Sequence, residues 1–248
     1  MSLYFEPDPA DKDTPPQLPP LLTPVSVEDG MDVMAKAVVV AAKGHAGKVL
    51  YSQQTKTLDM AVTMIPEVTK TKAMQMHYVL MVALGDAIGA LAPPEIQVQY
   101  RFPGFILLNQ GYAGFCRVEF STSQDENGYP SWLIGQITLE LSGIAKETES
   151  GHIPDHTSLE EEGGGYISRT RLLEAVSRHF LVWLNRWEDE GFKPIYDMWN
   201  TRLDQTMPLR DISIEWLGID GEGFGLIKQE GKPISLAPND ASLWEGLK

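Results

Sequence analysis

The stretch KAMQMHYVLMVALGDAIGAL, residues 72–91, restricts the fold of this chain more than any other. Its apolar side chains recur at 76, 80, 83, 84, 87, 88 and 91, and Pro93 and Pro94 stop it. That spacing is a helix with a buried face. IQVQY, residues 96–100, follows at once and alternates apolar with polar, the pattern of a strand with one apolar side. A buried helix delivered straight into a half-apolar strand requires a layered α/β arrangement.

The remaining segments supply the partners. KVLYS (48–52), DMAVTMI (59–65), FILLN (105–109), GFCRVEFS (114–121) and WLIGQITLEL (132–141) read as strands. VEDGMDVMAKAVVVAAKG reads as a helix, with Glu28, Asp29 and Asp32 at its positive end and Gly44 placed to stop it. RTRLLEAVSRHFLVWLNRWEDEG (169–191) is amphipathic, with Leu173, Val176, Phe180, Leu184 and Trp187 on one face, and a short helical stretch follows near 196–203. Between them, 142–168 is a long Gly-, Ser- and acid-rich loop. After Met207-Pro208 come three short strands, expected to form a small barrel-like unit. The expected fold is α/β (α+β): a mixed, largely antiparallel sheet with helices packed on one face. The expected division is a Pro-rich arm over 1–25, a main domain over 26–207 and a small β-domain over 208–248.

Charge and composition narrow the function. Twenty basic against 34 acidic residues give −14, the wrong sign for nucleic-acid binding. No uninterrupted apolar run reaches the ~18 residues of a membrane span. The N-terminus MSLYFEPDPAD is not a secretory signal, so a cytoplasmic location is expected. Cys116 is the single cysteine, in an apolar strand, and reads as a buried structural thiol. His152, His156, Asp155 and Glu160–Glu162 lie close together in the long loop, but no ligand spacing recurs and no metal site is assigned. His179 is read as a surface residue. Trp183, Trp187 and Trp199 are expected to pack the last helices onto the C-terminal strands, a carrier-docking surface being the functional alternative.

Five local motifs, in order, resemble the biotin protein ligase and lipoate protein ligase family over roughly 25–248. VEDGMDVMAKAV stands where that family has its first helix. MAVTMIPE resembles its strand-and-proline ending, and RFPGFILLNQGYAGF its KWPND hairpin and KxxG. WLIGQITLEL resembles the strand ending IGxGIN, and HTSL (156–159) resembles ATSL. The resemblance implies a class II aminoacyl-tRNA synthetase/biotin ligase-like fold and, with only a Pro-rich arm at the N-terminus, the stand-alone type without a DNA-binding winged helix. It implies ATP, Mg and biotin or lipoate as ligands, activation of a carboxylate to an acyl-adenylate, and transfer to a lysine of a carrier domain.

The catalytic positions depart from the family. QQT (53–55) resembles the residues that often precede a GRGRxxR loop, but no such loop follows. The Asn and Asp of KWPND become Gly104 and Phe105, and the chain has no lysine between Lys72 and Lys146. Counted from Pro103, the catalytic lysine's place falls on Tyr112; shifted one residue to match the glycine of KxxG, it falls on Gly111. A neutral phenol is a weak substitute for an ammonium. The expected protein therefore binds a small carboxylic acid or its acyl-adenylate without ordinary ligase activity. Its cleft would be lined by Gln53, Gln54, Thr55, Arg101, Pro103, Gly104, Tyr112, Ala113, Gly114 and Gly135. Arg101 would hold the anion, and backbone N–H groups of residues 111–114 would donate to it. The alternatives are a divergent active ligase and a non-catalytic protein that binds a carrier domain.

Overall fold

The structure, a computed structural model, describes residues 15–143, 156–204 and 215–244. A seven-stranded sheet forms its centre, in the order β1-β2-β3-β7-β6-β5-β4. The strands are β1 (Thr23–Val27), β2 (Lys48–Ser52), β3 (Thr57–Met64), β4 (Val98–Arg101), β5 (Phe105–Leu108), β6 (Gly111–Phe120) and β7 (Leu133–Glu140). Only β1 and β2 run parallel; every other neighbouring pair is antiparallel.

Residues 23–27 differ from expectation. The sequence assigns them to the proline-rich arm and the first helix, but they form β1, paired with β2 from Thr23–Lys48 to Val27–Ser52. Pro24 is accommodated because β1 is an edge strand, where a missing N–H costs no ladder bond. Helix α1 (Val33–Ala41) starts later, after Asp32, whose carboxylate accepts from the Ala35 N–H at 3.1 Å. The residues before β1 lie over the domain, with the Gln17 N–H donating to Glu174 at 2.7 Å.

The central helix α3 (Met76–Leu91) follows a single turn, α2 (Lys70–Ala73). It is buried nearly all round, not on one face. The sheet packs on one side, and α4 (Arg169–Glu190) and α5 (Lys193–Thr201) on the other. Residues 70–91 are long and apolar enough to cross a bilayer, and this burial within the protein accounts for that composition. Polar contacts seam the helical layer. Trp183 donates to Asp86 and Trp187 to Gln75, both at 2.7 Å, and Arg202 pairs with Asp86 at 2.7 Å. Trp199 packs edge-on against Tyr78 and stacks near Tyr100. These tryptophans therefore join α4 and α5 to α3 and β4, not to the C-terminal strands. His179 is half-exposed.

Helix α1 occupies the opposite face of the sheet. Val33, Met34, Ala37 and Ala41 cluster with Leu50, Ala61 and Ile134. Helices thus lie on both faces, and the second face is only partly covered. The part that α1 leaves uncovered carries the candidate site.

The C-terminal strands β8 (Glu215–Ile219), β9 (Gly225–Gln229) and β10 (Lys232–Leu236) form a three-stranded antiparallel sheet rather than a closed barrel. It docks on the main sheet through Trp216 and Ile227, which enclose Phe102. Tyr78 and Gln75 donate to the carbonyls of Gly223 and Gly221, at 2.7 and 3.0 Å.

Candidate functional site

Three segments that sequence singles out meet at one end of the sheet. Thr57, just after the QQT loop, pairs with Glu140, and Leu139 pairs with Gly114 of the hairpin. The Leu141 N–H donates to Lys56, and the Leu159 N–H to Glu140. The Thr157 N–H donates to the Tyr112 carbonyl at 2.8 Å, and the His156 ring lies edge-on to the Tyr112 ring, centroids 4.9 Å apart. The loop carrying Gln53 and Gln54, Tyr112 and the HTSL segment thereby lie at the same end of the sheet, with Gln53 and Gln54 exposed and Thr55 half-buried.

A bulge sets which side of the hairpin faces out. Leu108 pairs with Gly111 and Leu107 with Tyr112, but Ile106 pairs with Gly114, so Ala113 is one residue extra. Ala113, Cys116, Val118 and Phe120 enter the core on the helix side. Tyr112, Phe115, Arg117 and Glu119 are left on the α1 side. Burial of the Cys116 thiol raises its pKa, consistent with an inert structural group.

Several expected cleft residues serve packing instead. Arg101 is paired with Asp204 at 2.8 Å, its side chain 21% and the partner's 7% exposed, so its charge is neutralised within the chain. Pro103 is buried, and its carbonyl accepts from the His77 ring. The Phe102–Pro103 peptide is cis. A Cβ on Gly104 would collide with the Cys116 carbonyl and the His77 ring, and one on Gly114 with the Thr138 carbonyl. Gly135 opens toward Leu80 in the core, away from the α1 side. The backbone at 111 and 114 is paired into the sheet, which removes it as a ready anion cradle. Sequence comparison locates these residues along the chain but carries no information about Asp204, which arrives from after α5.

The α1 side supplies different groups. The Arg117 Nε donates to Gln136 Oε1 at 2.7 Å, and the Gln136 amide donates to Asp59 at 2.7 Å. Gln136 is buried; Arg117 and Asp59 are half-buried. Burial is the main cause raising the Asp59 pKa, opposed by the Gln136 bond. Burial likewise raises that of Glu140, which accepts from Thr57. Beside this row stands an aromatic group. Phe105 contacts Tyr112 and Trp244, Trp244 also contacts Phe115, and the Arg117 guanidinium lies 5.7 Å from the Phe115 ring centre. Trp244 belongs to the C-terminal turn Ala241–Trp244, which covers this part of the face. Sequence reasoning missed Arg117, Gln136 and Asp59. Strand alternation could have found them: core-directed Cys116 and Val118 put Arg117 opposite, and Ile137 and Leu139 put Gln136 and Thr138 opposite.

In the described part of the long loop, Glu162 accepts from Thr157 and Asn109, and Glu161 accepts from the Ser158 N–H. His152 and Asp155 lie outside the described residues.

This sheet order, with its helical layer and appended small sheet, is the architecture of the biotin protein ligases. The protein from Aquifex aeolicus superposes over 88% of this chain and 95% of its own, TM-score 0.66, at 17% identity. A biotin protein ligase-like protein of unknown function from Silicibacter sp. TM1040 matches over 90% of this chain and 96% of its own, with TM-score 0.79 and 32% identity. A biotin--[acetyl-CoA-carboxylase] ligase of Paracoccus denitrificans is 29% identical over 132 residues, 52% of this chain. The chain spans about half, 53%, of that relative's length. The biotin/lipoate A/B protein ligase family model matches residues 18–201, and the chain belongs to that family.

Proposed function

We propose that this protein binds a small carboxylic acid or its acyl-adenylate on the α1 side of the sheet and lacks ordinary ligase activity. The observation that carries this reading is the hairpin itself. In adenylate formation a carboxylate oxygen attacks the α-phosphorus and pyrophosphate leaves, so negative charge must be met by fixed cations. Tyr112 faces that side of the sheet with a neutral phenol. Gly111 offers no substitute place, because a Cβ there would sit 2.7 Å from the Thr157 methyl. Arg101 is consumed by Asp204. Gly104 and Phe105 carry no donor or carboxylate at the positions where the family has Asn and Asp. These hairpin residues do not fit an ATP–Mg complex. A binding role is supported by the Arg117 guanidinium, which lies beside an apolar aromatic wall of Phe115 and Trp244.

The test is pyrophosphate–ATP exchange with biotin, lipoate and octanoate, on wild type and Tyr112→Lys, with calorimetric binding of each acid in parallel. The expected result is no exchange by the wild type and measurable binding of at least one acid. Robust wild-type exchange would refute the reading in favour of a divergent active ligase.

Trp244 against Phe105 and Phe115 favours a second reading, a non-catalytic protein whose aromatic face docks a carrier domain. Under that reading a biotinyl or lipoyl carrier domain binds, and free acids leave the melting temperature unchanged.

A further inference from the structure

The cation on the α1 side is built to a purpose that the neighbouring side chains reveal. Arg117 has its Nε engaged by Gln136, and Gln136 is held from behind by Asp59. Asp59 lies on β3, Gln136 on β7 and Arg117 on β6, three strands adjacent in the sheet. The relay crosses them diagonally from Asp59, whose register partner is Thr138, to the Gln136 amide, then directly to the Arg117 guanidinium opposite Gln136. Gln136 is 4% exposed, so its amide is locked in one orientation by both bonds. The guanidinium is thereby held by one edge only. Its two terminal amino groups have no hydrogen-bond or ion-pair partner among the described residues. Asp59, one residue removed through Gln136 and itself near Asp32, and exposed Glu119, the next residue on the same face, form no ion pair with it.

A guanidinium fixed by Nε and open at both terminal nitrogens presents a planar pair of donors, the geometry that matches two oxygens of one oxyanion. Phe115 and Trp244 form the adjoining wall. We infer that Arg117 is the anion anchor of this protein's ligand, with Gln136 and Asp59 as positioning residues that aim its guanidinium. This rests on the ligand-binding reading above and names its charged contact. The oxyanion is a carboxylate of the acid or the phosphate of an adenylate, and the anchor replaces the role that sequence assigns to Arg101.

The experiment pairs each anion with a neutral counterpart: octanoate with octanamide, and AMP with adenosine, by calorimetry on the full chain. The wild type should bind one anion roughly 10- to 100-fold tighter than its neutral partner, the scale of charge-assisted hydrogen bonds. Which pair shows the preference identifies carboxylate or phosphate. Arg117→Gln should abolish the preference, and Arg117→Lys should restore only part of it, because an ammonium lacks the fork. Asp59→Ala should weaken the preference, while Asp59→Asn, which still accepts from Gln136, should keep it; a merely structural Asp59 would not show this rescue. Melting temperatures confirm that each variant is folded. A preference that survives Arg117→Gln overturns the anchor and leaves ligand binding intact. Absence of binding by all four probes overturns the anchor, and absence of binding by biotin and lipoate as well overturns the ligand-binding reading.

Discussion

Arg101 and Arg117 belong to the same β4–β5–β6 unit, yet they are used in opposite ways. Arg101 lies at the turn that Phe102 plugs into the C-terminal sheet, and its charge is spent on Asp204. Arg117 lies across the hairpin on the α1 side, held by one edge and open at the other. The first region is closed by partners distant in sequence; the second is supported from behind and left facing outward. A cation's availability is set by what the fold brings to it, and motif position alone does not report that.

This contrast can be broken first at Phe102. It is fully buried, and Phe102→Ala should cost about 4 kcal/mol through lost burial and the cavity left behind. Urea unfolding measures this, and a loss below about 1 kcal/mol would show that the small sheet is not anchored there.

Next in size is a pH effect from the same region. His77 is fully buried and its pKa is pushed down to about 4, chiefly by burial and against the opposing bond to the Pro103 carbonyl. Between the unfolded value near ~6.5 and about 4, the unfolded chain binds the proton and the folded chain does not. Stability should therefore fall as pH drops through that window, by about 3 kcal/mol at pH 4 relative to pH 7.5. His77→Gln should remove that component from the pH profile. Parallel profiles for the two proteins would sink the assignment.

The arginines themselves complete the series. Arg101→Ala should cost about 2 kcal/mol, because it removes the ion pair to the nearly buried Asp204, though partial exposure tempers the loss. It should leave anion binding unchanged. Arg117→Ala should cost about 1 kcal/mol, the scale of one buried acceptor left without its donor at Gln136. It should remove most anion binding. If Arg101→Ala instead abolished binding at constant stability, the roles of the two residues would have to be exchanged.

The sequence made the strands β3 and β7 and the helix α4 readable, because their apolar spacing follows the two periods set by backbone geometry. It did not reveal β1, where Pro24 masks an edge strand, nor the all-round burial of α3, which depends on a second helical layer arriving later in the chain. The two-sided placement of helices was hidden for a related reason. The buried side chains of α1, Val33, Met34, Ala37 and Ala41, show that it needs a partner but not on which face of the sheet. Of the site, the QQT loop, Tyr112 and the HTSL segment were legible as motifs, and the structure places them at the same end of the sheet. Arg117, Gln136 and Asp59 were present as simple alternation in three strands already identified, and became a candidate site only when those strands were set side by side.

The bulge at Ala113 has a meaning beyond local geometry. Counting forward from Pro103 and backward from Ala113-Gly114 gives answers one residue apart, and the extra residue is where the two counts part company. Such an insertion acts as a frame change in the side-chain alternation: everything after it keeps its facing, and everything before it is reversed relative to an unbulged hairpin. A lineage could thus exchange the residue offered to the site by gaining or losing one codon, with no substitution at the position itself.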